Sequence, residues 1–116
     1  MSIRLTAALA LLAFTGSAAA TSVKGNLAAG QEKAKTCAAC HGPTGNESVD
    51  PQYPKLAGQH ADYLVKALKD YKSGARVNAI MAGFAGALSE QDMRDLAVFY
   101  AQQGGELHDL SASAKR

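Results

Sequence analysis

Cys37-Ala38-Ala39-Cys40-His41 is the most informative stretch of this sequence. On a helical turn, residues three apart project from the same side, so the two thiols can reach one ligand while the histidine follows directly after them. Two thiols at this spacing can add to the two vinyl groups of a single porphyrin, and the imidazole can bind its iron. The pattern is typical of covalent haem attachment, and it predicts a domain built around one haem c.

Other uses of a Cys-x-x-Cys pair agree less well with the rest of the chain. A disulfide between cysteines three residues apart would close too short a loop to stabilise a small secreted domain. A thioredoxin-like redox pair would lie in a βαβ pattern, and the sequence has no convincing strand. A zinc site would need His60 or His108 as a fourth ligand, and no second pair stands at metal-ligand spacing.

The first twenty residues have the organisation of a secretory signal peptide. Arg4 supplies a positive charge, residues 5–14 form an apolar run, and Ala18-Ala19-Ala20 offers small residues for cleavage. A membrane anchor is the alternative, but the run is about half of the roughly 20 residues that a spanning helix needs. No lipid-attachment cysteine follows the run. We therefore expect a soluble domain that is exported to a bacterial periplasm and does not span a membrane.

Length and charge exclude several classes of protein. Removing residues 1–20 from the 116-residue chain leaves 96 residues, enough for one domain, and lowers the formal net charge from +2 to +1. A charge this small gives no support to nucleic-acid binding or to a disordered chain. The remaining domain has no tryptophan and few other aromatic side chains, so we expect a bound group to fill part of its core.

Polar and apolar patterning predicts an all-α domain with about three main helices joined by long loops. The first helix follows the N-cap Asn26 and ends at the cysteines, and the second covers residues 60–72. The third follows Ser89, which opens a capping-box sequence. Residues 41–59 and 76–88 contain many glycines or prolines, so we expect two irregular loops that wrap the bound group.

The apolar side chains of the predicted helices lead to an expectation about folding. Leu64, Leu68, Phe84 and Leu96 have no evident common partner in the sequence. If the haem is that partner, the chain without haem is largely disordered.

The chain resembles the class I c-type cytochromes, in particular the bacterial c4 and c5 group, over residues 27–103. The resemblance rests on four segments in the same order: Cys37-Ala38-Ala39-Cys40-His41-Gly42, Tyr53-Pro54-Lys55-Leu56-Ala57-Gly58-Gln59, Lys72-Ser73-Gly74 with Arg76, and Met81 followed by the last helix. It implies the class I cytochrome c fold for a domain at 21–105, followed by a polar tail at 106–116. Cytochromes c4 carry two haem domains in tandem, so this chain resembles half of such a molecule.

The resemblance also implies which residues hold the haem. Cys37 and Cys40 form the thioether bonds, and His41 is an axial ligand of the iron. The backbone carbonyl of Pro54 accepts a hydrogen bond from the ring of that histidine, which fixes the ring and raises its basicity. Arg76 lies near the haem propionates, which need a cationic partner where they are buried.

The second axial ligand that the resemblance implies is Met81. The other methionines fit this role poorly, because Met1 lies in the predicted signal peptide and Met93 on the core face of a helix. Two alternatives stay open. This methionine could merely cover a five-coordinate haem, and His60 and His108 are formally available as ligands.

With both axial positions filled, the iron has no open site for a substrate, so the resemblance implies a one-electron carrier and not an enzyme. Its partners are donor and acceptor proteins that dock transiently at a small, mainly apolar rim around the haem edge. One alternative is a haem-c subunit of a periplasmic oxidoreductase, such as a dehydrogenase of a sulfur compound or an alcohol. The other is a ligand-binding or peroxidatic haem protein in which Met81 is displaced.

Overall fold

Four α-helices follow one another in the computed structural model, which describes residues 22–105 and 107. They are α1 (Leu27–His41), α2 (Ala61–Ser73), α3 (Ala79–Gly86) and α4 (Glu90–Ala101). No strand occurs among the described residues, and the all-α prediction is confirmed. No helix in this part of the chain is long and apolar enough to cross a membrane. The predicted signal peptide and all but one residue of the predicted tail lie outside the described residues.

Polar side chains fix the starts of the first and last helices where the sequence predicts them. The side-chain oxygen of Asn26 accepts a hydrogen bond from the backbone N–H of Ala29 at 2.9 Å. At the start of α4, Ser89 Oγ accepts from the backbone N–H of Asp92 at 3.1 Å, and the Asp92 carboxylate accepts from the backbone N–H of Ser89 at 2.8 Å. Such caps are each worth about 1 kcal/mol. Helix α2 ends at Gly74, whose φ of 82° is readily adopted only by glycine.

The prediction of an irregular loop over residues 76–88 is wrong for residues 79–86, which form α3. Asn78 caps this helix, since its side-chain oxygen accepts from the backbone N–H of Met81 at 2.9 Å. Every residue of α3 is apolar or glycine, so the helix lacks the alternation of polar and apolar faces by which helices are recognised. The signal that was missed is the capping residue directly before the apolar run.

The loop between α1 and α2 contains no helix, as predicted, and it folds back onto the end of α4. The carbonyl oxygen of Gly45 accepts from the backbone N–H groups of Leu56 and Ala57 at 2.7 and 3.1 Å. The backbone N–H of Gly58 donates to the carbonyl oxygen of Tyr100 at 2.9 Å. A Cβ atom at Gly45 would lie 2.8 Å from the Tyr100 ring, so this approach of loop to helix requires glycine.

Helix α4 is the element that holds the others together, because it packs against both α1 and α2. Gly30 lies at the crossing of α1 and α4. A Cβ atom there would be 2.1 Å from the carbonyl oxygen of Asp95 and 2.9 Å from Cβ of Phe99. The two helices therefore approach at a distance that only glycine permits. Helix α3 packs against α2.

The buried apolar core joins α1, α2 and α4, and it consists of Ala34, Leu64, Leu96, Ala97, Phe99 and Tyr100. Leu68 packs against this core. The expectation that Leu64, Leu68 and Leu96 lack a common protein partner is therefore wrong, since the packing of α4 on α2 brings them together. Phe84 on α3 does not join the core and is 47% exposed.

Asp95 is a buried carboxylate that ties the beginning of α1 to α4. Its Oδ1 accepts from the backbone N–H of Asn26 at 2.8 Å and from the side chain of Gln91 at 2.7 Å. Lys33 Nζ lies 3.6 Å from its Oδ2. These partners, the Asn26 backbone N–H foremost, hold the pKa of Asp95 below its usual range. The carboxylate is thus ionised and paired, and it anchors the helix that carries both cysteines.

Candidate functional site

The last turn of α1 brings Cys37, Cys40 and His41 together on one rigid element. Both cysteines are free thiols and partly buried, whereas the histidine is only 6% exposed. The helix ends at Gly42, whose N–H donates to the carbonyl oxygen of Ala38 at 3.0 Å. The sequence predicts an end at the cysteines, and the structure continues the helix through the histidine. All three candidate side chains therefore lie on the last turn of α1.

The loop that follows α1 fixes the ring of His41. Its Nδ1 lies 2.8 Å from the backbone carbonyl oxygen of Pro54. Because a carbonyl oxygen can only accept, we assign the ring proton to Nδ1, which leaves the lone pair on Nε2. The ring of Tyr53, for which the sequence predicts no separate role, meets the imidazole edge-on at 6.3 Å between centroids. The histidine is held in the tautomer that a metal ligand needs.

Cys37 packs against the buried core and lies beside Tyr100. Burial raises the pKa of the Cys37 thiol, and the neighbouring phenol hydroxyl offsets this only in part. The pKa of Tyr100 is raised as well, mainly by burial and then by the charge that the thiol would carry. Both groups are therefore protonated at neutral pH.

Met81 lies in the first turn of α3, where it is partly buried. The apolar side chains around it are more open: Ile80 is 53% exposed, and Val77, just before the helix, is 93% exposed. Among the described helices, α1 and α3 do not pack against each other. An exposed, wholly apolar helix is typical of a surface that packs against a large apolar group.

Arg76 lies between α2 and α3 with its side chain exposed. Its guanidinium carbon is 4.8 Å from the ring centroid of Tyr71, and its Nη1 lies 3.4 Å from the hydroxyl of Tyr63. Its backbone N–H donates to the carbonyl oxygen of Asp70 at 3.0 Å. The two tyrosines orient the guanidinium without neutralising its charge.

Of the two other histidines, His60 lies among the described residues. His60 is exposed at the N-terminus of α2 and makes no capping bond with its side chain. His108 lies outside the described residues. No group of three or more His, Cys, Asp or Glu side chains among the residues described is arranged to hold a metal ion, so the structure lends the zinc alternative no support.

Comparison with known proteins gives matches over most of the chain. The family model described as "Cytochrome c" matches residues 27–103. Cytochrome c4 of Pseudomonas aeruginosa is 49% identical over 79 residues, which cover 68% of this chain and 39% of that protein. A thiosulfate dehydrogenase electron acceptor of Thiomonas intermedia is 40% identical over 75 residues, covering 65% and 35%.

The similarity extends to a solved structure. The crystal structure of reduced recombinant cytochrome c4 from Pseudomonas stutzeri matches with a TM-score of 0.66 and 41% identity, over 72% of this chain and 48% of that one. The class I cytochrome c fold is thereby confirmed. The chain spans less than half the length of each of these three relatives.

The residues present fit the haem that this family implies. Two thiols and a histidine with a free Nε2 on one helical turn are the donor set of covalent attachment, and the exposed residues of α3 supply an apolar surface. Together with the match over residues 27–103, these features show that the chain belongs to the cytochrome c family and that its cofactor is covalently bound haem c.

Proposed function

We propose that this protein is a one-electron carrier of the bacterial periplasm in which His41 and Met81 are the axial ligands of the haem iron. The observation that carries the proposal is the hydrogen bond from His41 Nδ1 to the carbonyl oxygen of Pro54, which directs the ring's lone pair to the other nitrogen. The similarity to cytochrome c4 supports the same function.

Cys37 and Cys40 hold the cofactor. Each thiol would add across one vinyl group, so that sulfur bonds to carbon and the thiol hydrogen passes to the neighbouring carbon. A haem held in this way would supply the exchange of one electron between the ferric and ferrous states. The carbonyl of Pro54 keeps the proton of His41 on Nδ1 and raises the basicity of Nε2.

Helix α3 supplies Met81 as the second ligand. The side chain of Asn78 fixes the first turn of α3 by accepting from the backbone N–H of Met81. A thioether ligand in apolar surroundings favours the reduced state, so we expect a positive reduction potential. With both axial positions taken, no coordination site is left for a substrate, which suits a carrier and not an enzyme.

Arg76 has the properties of a residue that pairs with a haem propionate. Its contacts with Tyr63 and Tyr71 hold the guanidinium in place and leave its charge available for a carboxylate. A propionate paired with Arg76 would stay ionised, and the guanidinium would offset its charge.

Export and partners complete the proposal. Residues 1–20 direct the chain to the periplasm. Donor and acceptor proteins dock transiently on the apolar rim formed by Val77 and Ile80, which lie next to Met81. The side chains of Val77 and Ile80 are both more than half exposed.

The similarity to a thiosulfate dehydrogenase electron acceptor favours a second candidate, a haem subunit that accepts electrons from a sulfur-compound dehydrogenase. Purification from native cells separates the two, since a subunit stays in a stable complex and a shuttle does not.

Visible spectroscopy of the holoprotein tests the ligation. The wild type should show a sharp α-band when reduced, a weak far-red sulfur-to-iron band when oxidised, and no change with carbon monoxide. In Met81→Ala the far-red band should disappear and the reduced protein should bind carbon monoxide. Met93→Leu is the matched control, because Met93 is only 1% exposed in the core and should leave both signals unchanged.

Carbon monoxide binding by the wild type, or a far-red band that survives in Met81→Ala, would contradict the carrier with His41/Met81 ligation. The first result would favour the ligand-binding or peroxidatic alternative.

A further inference from the structure

The side chain of Tyr100 carries a buried polar atom that the proposed function does not use. Tyr100 lies in the last turn of α4 and is only 3% exposed. Its hydroxyl finds no well-formed hydrogen bond among the described residues. An unpaired hydroxyl in a protein core costs folding free energy, and a phenylalanine would avoid that cost. The neighbouring Phe99 shows that this part of α4 accepts a plain aromatic ring.

The ring of Tyr100 is buried and packs against two neighbouring residues. Phe99 meets it edge-on with ring centroids 5.0 Å apart. On another edge it packs against Gly45, where even a Cβ atom would lie within 2.9 Å of two ring carbons. The loop between α1 and α2 also binds the backbone of Tyr100, because the N–H of Gly58 donates to the Tyr100 carbonyl oxygen at 2.9 Å. The direction of the hydroxyl is therefore fixed by the fold.

The side chain of Cys37 packs against the core cluster that contains Tyr100. Each of the two groups also acts on the pKa of the other, although burial is the larger cause for both. A thiol can donate and accept, whereas a thioether sulfur carries lone pairs and no hydrogen, so it can only accept. The phenol oxygen carries the one hydrogen available for a bond between the two groups once the sulfur is attached.

We propose that Tyr100 is a positioning residue that donates a hydrogen bond to the thioether sulfur of Cys37 and thereby raises the reduction potential of the protein. The inference rests on the proposed electron-carrier function. A donor on this sulfur draws electron density away from the porphyrin side of the C–S bond, which favours the reduced state of the iron. Attachment also fixes the Cys37 side chain, so that the adjacent groups can form a well-directed bond.

The test compares holoproteins by potentiometric titration of the α-band. Tyr100→Phe removes only the hydroxyl, and we expect the equilibrium constant for reduction by a fixed donor to fall by about threefold. Ser48→Ala is the matched control, because Ser48 Oγ is also buried without a partner but lies in the loop. The control should leave the equilibrium constant unchanged. Chemical unfolding of both variants measures the structural contribution of each hydroxyl separately.

A second variant provides the test if Tyr100→Phe does not attach haem and fold. Site-specific replacement of Tyr100 by 3-fluorotyrosine makes the phenol a stronger donor, so the equilibrium constant for reduction should rise. If neither substitution moves the potential, the inference is overturned, whatever happens to the unfolding free energy. A wild type that shows no reversible one-electron reduction would instead overturn the proposed function, so the two failures can be told apart.

Discussion

At the scale of single residues, Asp95 and Lys33 decide how firmly the cysteine-bearing helix is held. The amine of Lys33 lies 3.3 Å from a carboxylate oxygen of Asp92 and 3.6 Å from one of Asp95. Only Asp95 is buried. The pKa of Asp95 in the folded protein lies below the usual value near 3.8. Such a carboxylate stabilises the fold at any pH at which it is ionised in both the folded and the unfolded chain. That contribution is present above pH 4 and is lost as the pH falls below it.

We predict that Asp95→Asn lowers the unfolding free energy at pH 7 by about 1–3 kcal/mol, because a charged acceptor of two N–H groups is replaced by a neutral one. The difference should shrink as the pH falls below 4, because the wild type then loses the stabilisation that its ionised Asp95 provides. Denaturation followed by circular dichroism at several pH values measures both effects. Glu32→Gln is the control, since Glu32 pairs with Lys35 on the surface and should change little. If the unfolding free energies of Asp95→Asn and the wild type change in parallel with pH, the prediction is contradicted.

At the scale of elements, α3 differs from the other helices in how it is held. It is eight residues long, packs against α2 and contributes no member of the central core cluster. Short helices are marginal without tertiary support, so the Asn78 cap has a larger share in fixing α3 than a cap has in a longer helix. The cap accepts the backbone N–H of Met81, so we expect it to help position this residue.

Two asparagine caps allow a matched comparison. Asn26→Ala and Asn78→Ala each remove a side-chain acceptor for a backbone N–H at 2.9 Å, and each should cost about 1 kcal/mol. Only Asn78→Ala should loosen Met81, so that the far-red band of the oxidised protein disappears at a lower temperature than in the wild type. Thermal scans of the visible spectrum and of circular dichroism measure the two effects. If the far-red band disappears at the same temperature in both variants, the cap of α3 does not position Met81.

A feature of the structure could be predicted from the sequence where the residues that determine it are close together in the chain. The starts of α1 and α4 were predictable because Asn26 and Ser89 each stand directly before the helix that they cap. Helix α3 was not, because a uniformly apolar segment has no periodic pattern. At the site, Cys37 and His41 form a motif within five residues, which is why it could be recognised without a structure.

Contacts between distant segments were beyond such reasoning. The bond between His41 and the carbonyl of Pro54 was implied by the family resemblance, and nothing in residue spacing predicts it. Tyr100 belongs to the buried core cluster. Its position beside Cys37 depends on the close crossing of α1 and α4, which no local pattern specifies.

At the scale of the whole molecule, charge is nearly balanced. The formal net charge of the chain is +2, and the loss of Arg4 with residues 1–20 would lower it to +1. Two haem propionates offset this small positive charge, so the holoprotein is close to neutral. Long-range electrostatic steering of a partner should therefore be weak.

We predict that electron exchange with small charged reagents depends only weakly on salt. Rates with an anionic reagent such as hexacyanoferrate(III), and with a cationic tris(phenanthroline)cobalt(III) complex, should each change by less than about threefold between 20 and 200 mM ionic strength. Stopped-flow measurements at several salt concentrations give the two slopes. A steep fall for one reagent and a steep rise for the other would reveal a charged docking face and contradict the apolar rim.

The separate attachment of α3 has a consequence for how the molecule opens. Helices α1, α2 and α4 share one core, whereas α3 packs only against α2 among the described helices. Segments with few buried contacts open at the lowest free energy, while a shared core opens only with the whole domain. We therefore expect amide hydrogens to exchange slowly in the body that carries Cys37 and Cys40, and faster in α3, which carries Met81. Under the proposed ligation, stress on the fold would release Met81 from the iron first and leave the cofactor bound to α1.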